Sequence, residues 1–391
     1  MNFDVIVLGT GGVGSAALFH LAKQGLRVLG LDRFPPGHDR GSSHGESRVI
    51  RRSYFEHPDY VPLLNMAYAL WDDLSEQCGR TLLHRTGILY FGAAEGQVVN
   101  GIQTSAAQHN LTIECLDIQE AANRFPVFTA PENTTAIFER DAGYLRVEDC
   151  VTAHVSQALQ RGAQQRHGET VLNWSATDDG VTVLTQNGRY EADRLIITAG
   201  AWTNDLLTEL KIPLRVVRKH LHWHAVTDDR CLSANGCPCY FMESQGGYFY
   251  GCPAIGSDGF KIAEHSGGVT VPDPLTDLTT PDIHDTARVD TFRSRHLTGV
   301  SPTRTRHQRC FYTMTPDEHF VVDRHPQFRS VAFAAGLSGH GFKFTSVLGR
   351  ILAELVTTTE PCCEIGFFSL NRSALKASDH SGPTGNPPAG A

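Results

Sequence analysis

A cysteine stands between a basic run and an aromatic pair late in the chain. Cys310 follows Arg306-His-Gln-Arg309 and precedes Phe311-Tyr312. A free cysteine is usually a small buried residue that does no chemistry. Neighbouring cations such as Arg309 would instead favour its thiolate and make it a nucleophile. Which interpretation holds depends on what else the chain binds.

Two arginines offer the chemistry of carboxylate recognition. Arg48 and Arg51 are three residues apart, a spacing that places them on one face of a helical turn. Guanidinium and ammonium groups in a pocket shielded from water hold a carboxylate through charge-assisted hydrogen bonds. Clustered charges most often lie on a solvated surface, so the pattern by itself favours a basic surface patch.

The N-terminal segment carries the pattern of a dinucleotide site. The apolar run Phe3–Leu8 leads directly into Gly9-Thr-Gly11-Gly-Val-Gly14. This order predicts a strand, a tight glycine turn and a helix whose N-terminus faces a pyrophosphate. A second apolar run ends at Asp32, where a carboxylate accepts hydrogen bonds from a ribose. The pattern indicates a dinucleotide without saying which one.

Two later segments favour a flavin over a nicotinamide. Residues 194–202 predict a buried strand that ends in small residues, and a predicted hairpin over 180–190 precedes it. Residues 334–352 form a second glycine-rich turn that runs into an amphipathic helix. Both segments resemble parts of the glutathione-reductase-type FAD fold, in which distant segments of the chain build one flavin site.

The expected fold is therefore α/β, with an α+β two-domain organisation. A glutathione-reductase-type FAD-binding domain with a Rossmann-like βαβ unit takes residues 1–85, 145–215 and 310–373. A substrate domain on a mostly antiparallel sheet takes residues 86–144 and 216–309. The tail 376–391, rich in Ser, Gly and Pro, is expected to be disordered.

Composition excludes several classes of partner. The chain has 391 residues, 41% of them hydrophobic, so two packed domains are expected. Its formal charge of −8 argues against nucleic acid or an anionic membrane as a binding partner. Ten cysteines are too sparse for a disulfide scaffold. The first predicted strand leaves no room for a secretory signal, and no apolar run is long enough to span a bilayer. These features predict a reduced, cytoplasmic protein.

One histidine cluster resembles a metal site. His220, His222 and His224 alternate, so on a strand the three imidazoles share a face and offer ligands for zinc. No acidic partner or fourth ligand is evident in the neighbouring sequence. We therefore expect no metal site.

Four segments together resemble one enzyme family. They are Gly9–Gly14, Gly41–Tyr54, Cys310–Phe320 and Gly336–Phe344. The chain is similar, from residue 3 to about residue 373, to the monomeric sarcosine oxidase and N-methyl-L-tryptophan oxidase family, FAD-dependent amine oxidases of the DAO superfamily.

The resemblance implies a covalent cofactor. It implies FAD attached to Cys310 through an 8α-thioether, with Arg48 beside the flavin ring and His44 also among the catalytic residues. The other residues implied to bind the cofactor are Gly9, Gly11, Gly14, Asp32, Ser43, Gly339 and Gly341.

The resemblance also implies a substrate site. It places Arg51 and Lys343 on the substrate carboxylate, whereas Arg52 has no such counterpart and is expected to be structural. It implies that Tyr312 binds substrate and that Tyr250 and His265 are catalytic, all three at positions lining the substrate cavity. Each of these three is also compatible with a packed core aromatic or a satisfied core histidine.

Lys261 follows a glycine turn in a predicted hairpin. From the sequence pattern alone it is a surface lysine. The resemblance makes it the lysine over the flavin face that promotes reaction with oxygen, a role suited to a cation that stabilises developing negative charge.

The expected function is oxidation of an N-methyl or other secondary α-amino acid by a monomeric enzyme. Its partners are a small amino acid and molecular oxygen, and its products are the demethylated amino acid, formaldehyde and hydrogen peroxide. Oxidation of glycine, a D-amino acid or pipecolate on the same scaffold is an alternative, and a flavoprotein without turnover is another. The presence of Arg51, Lys261, Cys310 and Lys343 speaks against the last. Segment 55–60 departs from the family pattern and leaves the side-chain preference open.

Overall fold

The apolar runs of the sequence form strands in three sheets. The structure, a computed structural model, describes residues 3–376 except 245, 278 and 359. The strands are β1 (Phe3–Leu8), β2 (Val28–Leu31), β3 (Ser47–Ile50), β4 (Leu83–His84), β5 (Ile88–Ala93), β6 (Glu114–Leu116), β7 (Thr134–Glu139), β8 (Gly143–Arg146), β9 (Gln164–Arg166), β10 (Val171–Thr177), β11 (Gly180–Thr185), β12 (Gly188–Ile197), β13 (Arg215–Val226), β14 (Cys239–Ser244), β15 (Gly247–Cys252), β16 (Phe260–Glu264), β17 (Val269–Thr270), β18 (Val300–Met314), β19 (Val321–Arg324) and β20 (Val331–Ala335).

The helices cover the faces of the sheets and link the strands. They are α1 (Gly12–Lys23), α2 (Tyr60–Cys78), α3 (Gln97–His109), α4 (Ile118–Arg124), α5 (Val147–Gln160), α6 (Thr203–Leu206), α7 (Ile283–His296), α8 (Thr345–Thr357) and α9 (Ser373–Lys376). Helix α1 is buried along most of its length and packs against α5 and α8. A side chain at Gly349 of α8 would meet the α1 backbone at Ala17, so the two helices approach closely only because this position is glycine.

The first sheet confirms the predicted strand, turn and helix at the N-terminus. Strand β1 lies between β2 and β12, and both pairs are parallel. Leu8 pairs with Leu31 on one side and Ile197 on the other. The carboxyl ends of three strands therefore meet at one edge of the sheet, which is where ligands bind in open parallel sheets.

The second sheet is mostly antiparallel, as expected for the substrate domain. Its longest pair joins β13 to β18 and sets Lys219 opposite Cys310. The predicted hairpin around Lys261 is confirmed, because β15 and β16 are antiparallel and Cys252 pairs with Lys261. The small third sheet, in the order β3-β8-β4, holds Arg48 opposite Leu145.

The expected α/β class with parallel and antiparallel sheets is confirmed. The domain boundaries remain a prediction. Of the predicted tail, Lys376 closes α9, and residues 377–391 lie outside the described part of the chain. Among the described residues, no helix has the length and apolar character needed to cross a membrane.

Candidate flavin and substrate site

One cavity collects residues from distant parts of the chain. Its empty volume is about 1910 Å³, including open solvent at the mouth. The predicted site residues that line it are Gly9, Gly11, Asp32, Ser43, Arg48, Arg51, Tyr250, His265, Cys310, Tyr312, Gly339, Gly341 and Lys343. Three other predicted residues, Gly14, His44 and Lys261, lie outside its lining.

The N-terminal glycine turn needs its glycines for different reasons. Gly9 has φ of +81°, a left-handed conformation that side chains disfavour. A side chain at Gly14 would run into the carbonyl oxygen of Gly9, so Gly14 supports the turn from beneath. At Gly11 an added carbon would meet only Ser43 Oγ, at 3.6 Å. The turn thus leaves backbone open to the cavity at Gly11.

Asp32 and Ser43 hold this turn in place. One Asp32 carboxylate oxygen accepts the backbone N–H of Thr10 at 2.6 Å, and the other accepts that of Phe34 at 2.9 Å. Ser43 Oγ accepts the N–H of Gly12 at 3.0 Å. Both predicted cofactor residues therefore line the cavity while fixing the loop beside it.

The cavity offers unpaired polar atoms for a dinucleotide. Arg33 Nη1, Trp202 Nε1 and Thr345 Oγ1 are buried without a hydrogen-bond partner, and all three residues line the cavity. Buried polar groups are normally paired. The phosphate oxygens and ribose hydroxyls of FAD are partners of the required kinds, so the donor set fits this cofactor.

Arg48, and not Arg309, is the cation beside Cys310. The Cys310 side chain is buried, and Arg48 Nη2 lies 3.3 Å from its sulfur. Arg309 donates to the Pro274 carbonyl at 3.2 Å and lies 3.5 Å from Asp277. Because neighbouring residues of a strand point to opposite faces, the expectation that Arg309 assists the thiol is wrong.

Arg48 lies on a strand and Arg51 directly after it, so the expected helical turn is wrong. Arg48 belongs to β3, and Arg51 follows the last residue of that strand. The chain turns there, and Arg51 Nη1 donates to the Ser53 carbonyl at 3.1 Å. This turn, and not helical spacing, lets both arginines line the cavity.

The Arg51 guanidinium is already paired with an acid of this chain. Its Nη2 lies 2.6 and 2.8 Å from the two carboxylate oxygens of Glu56. The rings of Tyr54 and Phe55 each lie 4.3 Å from the guanidinium carbon. Burial opposes ionisation of Glu56, but nearby cations, led by Arg51, lower its pKa to about 2. Glu56 is therefore an anion at the cavity wall.

Lys343 approaches the same place from the C-terminal end of the chain. Its Nζ donates to the His340 carbonyl at 2.7 Å and lies 5.2 Å from the centre of the Tyr54 ring. Burial, followed by the charge of Arg51, lowers the pKa of Lys343 to about 7. When Lys343 is protonated, the charges of Arg51, Lys343 and Glu56 sum to one positive charge, which attracts an anionic ligand.

An aromatic wall continues from these charges. The hydroxyls of Tyr250 and Tyr312 are 3.3 Å apart, and the His265 ring lies 6.1 and 5.7 Å from the two tyrosine rings. Phe241 lies 5.9 Å from His265 and 5.0 Å from Phe55. Burial lowers the pKa of His265 to about 3, so its imidazole is neutral. These rings present an apolar, water-excluding surface.

Lys261 and His44 lie behind the lining. Lys261 Nζ donates to the carbonyls of Gly45 and Ser47, at 2.7 Å each. Burial, with the charge of Arg48, lowers the pKa of Lys261 to about 7. The His44 ring lies 3.1 Å from the Gly41 carbonyl, and burial lowers its pKa to about 4.

The histidines of β13 form side-chain contacts of their own. His222 Nε2 lies 2.7 Å from a carboxylate oxygen of Asp285, and His220 Nδ1 lies 2.8 Å from His307 Nε2. The acidic partner of His222 is 63 residues away in sequence, which is why the neighbouring sequence does not show it. Within the described residues, no group of three or more His, Cys, Asp or Glu side chains is arranged to hold a metal ion.

Two residues of the site were not predicted from the sequence. Glu56 lay in the segment that departs from the family pattern, and an acid five residues after Arg51 was a usable signal. Phe241 sits in a strand where an aromatic residue is ordinary, so no sequence signal separates it from the core.

Known proteins match this chain along most of its length. Residues 4–355 match the family described as FAD dependent oxidoreductase. Monomeric sarcosine oxidase of Streptomyces avermitilis is 40% identical over 381 residues, covering 95% of this chain and 98% of the relative. N-methyl-L-tryptophan oxidase of Yersinia pestis is 36% identical over 374 residues, covering 95% and 100%.

A solved structure supports the same assignment. NikD, described as an unusual amino acid oxidase essential for nikkomycin biosynthesis, is 25% identical and superimposes with a TM-score of 0.83. The similarity covers 94% of this chain and 97% of NikD. A family match of this extent, joined to a cavity that fits FAD, shows that the chain belongs to the FAD-dependent oxidoreductase family.

Proposed function

We propose that the protein oxidises the secondary amine of an N-methyl α-amino acid, such as sarcosine or N-methyltryptophan, with oxygen as electron acceptor. One observation carries this proposal. Arg51 and Lys343, from opposite ends of the chain, converge on the cavity that also contains Cys310 and the N-terminal glycine turn. The names of the relatives support the substrate class.

FAD, when bound, accepts two electrons from the carbon next to nitrogen and passes them to oxygen. The residues suited to hold it are the glycine turn, Asp32 and Ser43 on one side and the turn containing Gly339 and Gly341 on the other. Cys310 would attach it covalently, and the contact of Arg48 with the Cys310 sulfur supports this role. The expected products are the demethylated amino acid, formaldehyde and hydrogen peroxide.

The charges and the aromatic wall would orient the substrate. Arg51 and Lys343 hold the carboxylate by charge-assisted hydrogen bonds. The amine and its methyl group then lie against Tyr250, Tyr312 and His265, where water is excluded. Oxidation requires the neutral amine, so the reductive step should gain rate as pH rises.

Lys261 supplies the buried cation assigned to the reaction with oxygen. Its ammonium is bound to the carbonyls on either side of Glu46, in the segment that leads into Arg48. A fixed positive charge in a low-dielectric site stabilises negative charge that develops as oxygen is reduced. We assign the protein a monomeric state, as in the name of its sarcosine oxidase relatives.

A substrate panel tests the proposal. Sarcosine, N-methyltryptophan, glycine, D-alanine and pipecolate are each incubated with enzyme and air, and peroxide and formaldehyde are measured. We expect peroxide with an N-methyl substrate and formaldehyde in equal amount. Peroxide from glycine, D-alanine or pipecolate alone, without formaldehyde, would overturn the assignment of the substrate class.

A further inference from the structure

A short segment before Arg48 has an unusual backbone conformation. Gly45 has φ of +91° and Glu46 has φ of +67°. A left-handed conformation is ordinary for glycine but rare for glutamate, and such residues persist only where their surroundings hold them. The conformation turns two carbonyl groups, those of Gly45 and Ser47, toward Lys261 Nζ, which binds each at 2.7 Å.

A carboxylate holds the opposite side of this segment. Glu148, in the first turn of α5, accepts the N–H of Gly45 at 2.7 Å and the N–H of Glu46 at 3.1 and 3.2 Å. The N-terminus of a helix favours a negative charge. Burial opposes ionisation of Glu148, but its backbone hydrogen bonds lower its pKa, so the carboxylate is charged. Amide N–H groups thus point to Glu148, and carbonyls point to Lys261.

Trp223 completes the surroundings of the lysine. Its indole N–H donates to a carboxylate oxygen of Glu46 at 2.9 Å, and Lys261 Nζ lies 5.2 Å from the centre of its ring. The position of Glu46 therefore determines where the two carbonyls that bind the Lys261 ammonium lie, and also where the Trp223 ring beside that ammonium lies. Glu148 holds the backbone N–H of Glu46, while the Glu46 carbonyl accepts the N–H of Val147 at 3.1 Å.

We propose that Glu148 is a positioning residue for Lys261, acting through the peptide groups of Gly45 and Glu46. Glu148 lies outside the cavity lining and has no direct role with substrate or cofactor. The role of Lys261 in the reaction with oxygen rests on the proposed function. The positioning of Lys261 by Glu148 does not depend on that function.

The charged and titratable groups around Lys261 predict the direction of the effect. Arg48 of β3 opposes its charge, whereas Cys252 of β15, Glu46 and Glu148 favour it. Replacing Glu148 with Gln removes a negative charge and sets an amide group against N–H donors. The carbonyls then move from their present positions, and the lysine ammonium loses stabilisation.

Two measurements test the inference in Glu148→Gln holoenzyme. In stopped flow, reoxidation of the reduced enzyme by oxygen should slow at least tenfold, while anaerobic reduction by substrate should change less than threefold. In a pH titration of Trp223 fluorescence, isolated by subtracting a Trp223→Phe variant, the midpoint that belongs to Lys261 should fall by about half a unit or more. The second readout does not require turnover.

Matched variants make the outcome decisive. Glu120→Gln removes a carboxylate in the first turn of another helix, α4, where it lies 3.6 Å from Arg124, and should leave both readouts unchanged. Lys261→Met should abolish the fluorescence midpoint. If Glu148→Gln does not fold, Glu148→Asp, whose shorter carboxylate withdraws from the N–H groups, should move both readouts in the same direction.

The two claims fail separately. Wild-type reoxidation in Lys261→Met would refute the oxygen role of that lysine, and the fluorescence midpoint would still test Glu148. An unchanged midpoint in Glu148→Gln, or in Glu148→Asp where only that variant folds, would overturn the positioning role. Reoxidation that is equally slow in Glu120→Gln would also overturn it.

Discussion

The Glu56 carboxylate binds Nη2 of Arg51 through both of its oxygens, at 2.6 and 2.8 Å. Both side chains are shielded from solvent, with 14% and 5% of their surface exposed. A substrate carboxylate that uses Arg51 must therefore share the guanidinium with Glu56 or displace it. Glu56 thus competes with the substrate carboxylate for Arg51 and lowers the affinity of the site for anions.

Removal of the Glu56 charge should therefore tighten binding of a carboxylate inhibitor. In Glu56→Gln, Arg51 loses an anionic partner that competes with the ligand, and methylthioacetate should bind about tenfold more tightly. Titration of the flavin absorbance measures this affinity. Asp59→Asn, on the nearby exposed surface, serves as the control. Unchanged or weaker binding in Glu56→Gln would show that the two carboxylates do not compete.

Loss of Arg51 should have the opposite effect on the same titration. Arg51→Gln removes one charge-assisted contact and should weaken methylthioacetate binding by roughly 1.5–3 kcal/mol. Arg52→Gln is a matched control, because Arg52 pairs with Asp141 and covers the Tyr68 ring instead of lining the cavity. Equal effects of the two substitutions would mean that Arg51 has no special role in anion binding.

Covalent attachment should depend on Cys310 alone among the ten cysteines. Denatured wild-type protein should remain yellow, and its Cys310 peptide should carry the mass of FAD. Cys310→Ser should fold and release its flavin on denaturation, whereas Cys115→Ser, at an exposed position, should retain it. An adduct on another cysteine, or on none, would refute this attachment site.

Covalent attachment of the flavin should depend on Arg48 and not on Arg309. Arg48 contacts the Cys310 sulfur, but Arg309 is turned toward Asp277. Arg48→Gln should leave most of the flavin extractable after expression, while Arg309→Gln should be loaded as fully as the wild type. Mass spectrometry of the intact proteins measures the loaded fraction. Loss of attachment in Arg309→Gln would contradict the contact seen in the structure.

The two half-reactions should depend on pH in opposite directions. Lys261 has a pKa of about 7, and its ammonium is present below that pH and lost above it. The rate of reoxidation by oxygen should therefore fall as pH rises through about 7, whereas the rate of reduction at saturating amine substrate should rise. Stopped flow of each step from pH 6 to pH 9, roughly spanning both ionisations, gives both profiles. Lys261→Met should lack the first dependence, and a persisting profile would assign it to another group.

Local sequence patterns predicted the elements that form within short segments. The strand, glycine turn and helix at Gly9–Gly14 depend on residues close in sequence, and so does the hairpin that carries Lys261. The resemblance supplied the residues that line the cavity from distant segments. The cation that contacts Cys310 was harder to predict. Arg309 and Cys310 are consecutive residues of β18 and point to opposite faces of the sheet, so adjacency in sequence does not bring their side chains together.

Contacts between distant segments could not be predicted from the local pattern. Asp285 reaches His222 across 63 residues, and Glu148 reaches Gly45 across 103. The helical turn assumed for Arg48 and Arg51 failed because β3 pairs with β8, a tertiary contact that overrides local spacing. The Arg51–Glu56 pair, by contrast, spans only five residues and was within reach of the sequence.

Anaerobic mixing of the holoenzyme with substrate tests the central claim most directly. Sarcosine, N-methyltryptophan, glycine and pipecolate are added without oxygen, and flavin absorbance is followed before and after air is admitted. An N-methyl amino acid should bleach the absorbance, and air should restore it with release of one equivalent each of peroxide and formaldehyde. Persistent yellow colour with both N-methyl substrates, at concentrations that bleach the enzyme with glycine or pipecolate, would contradict the account.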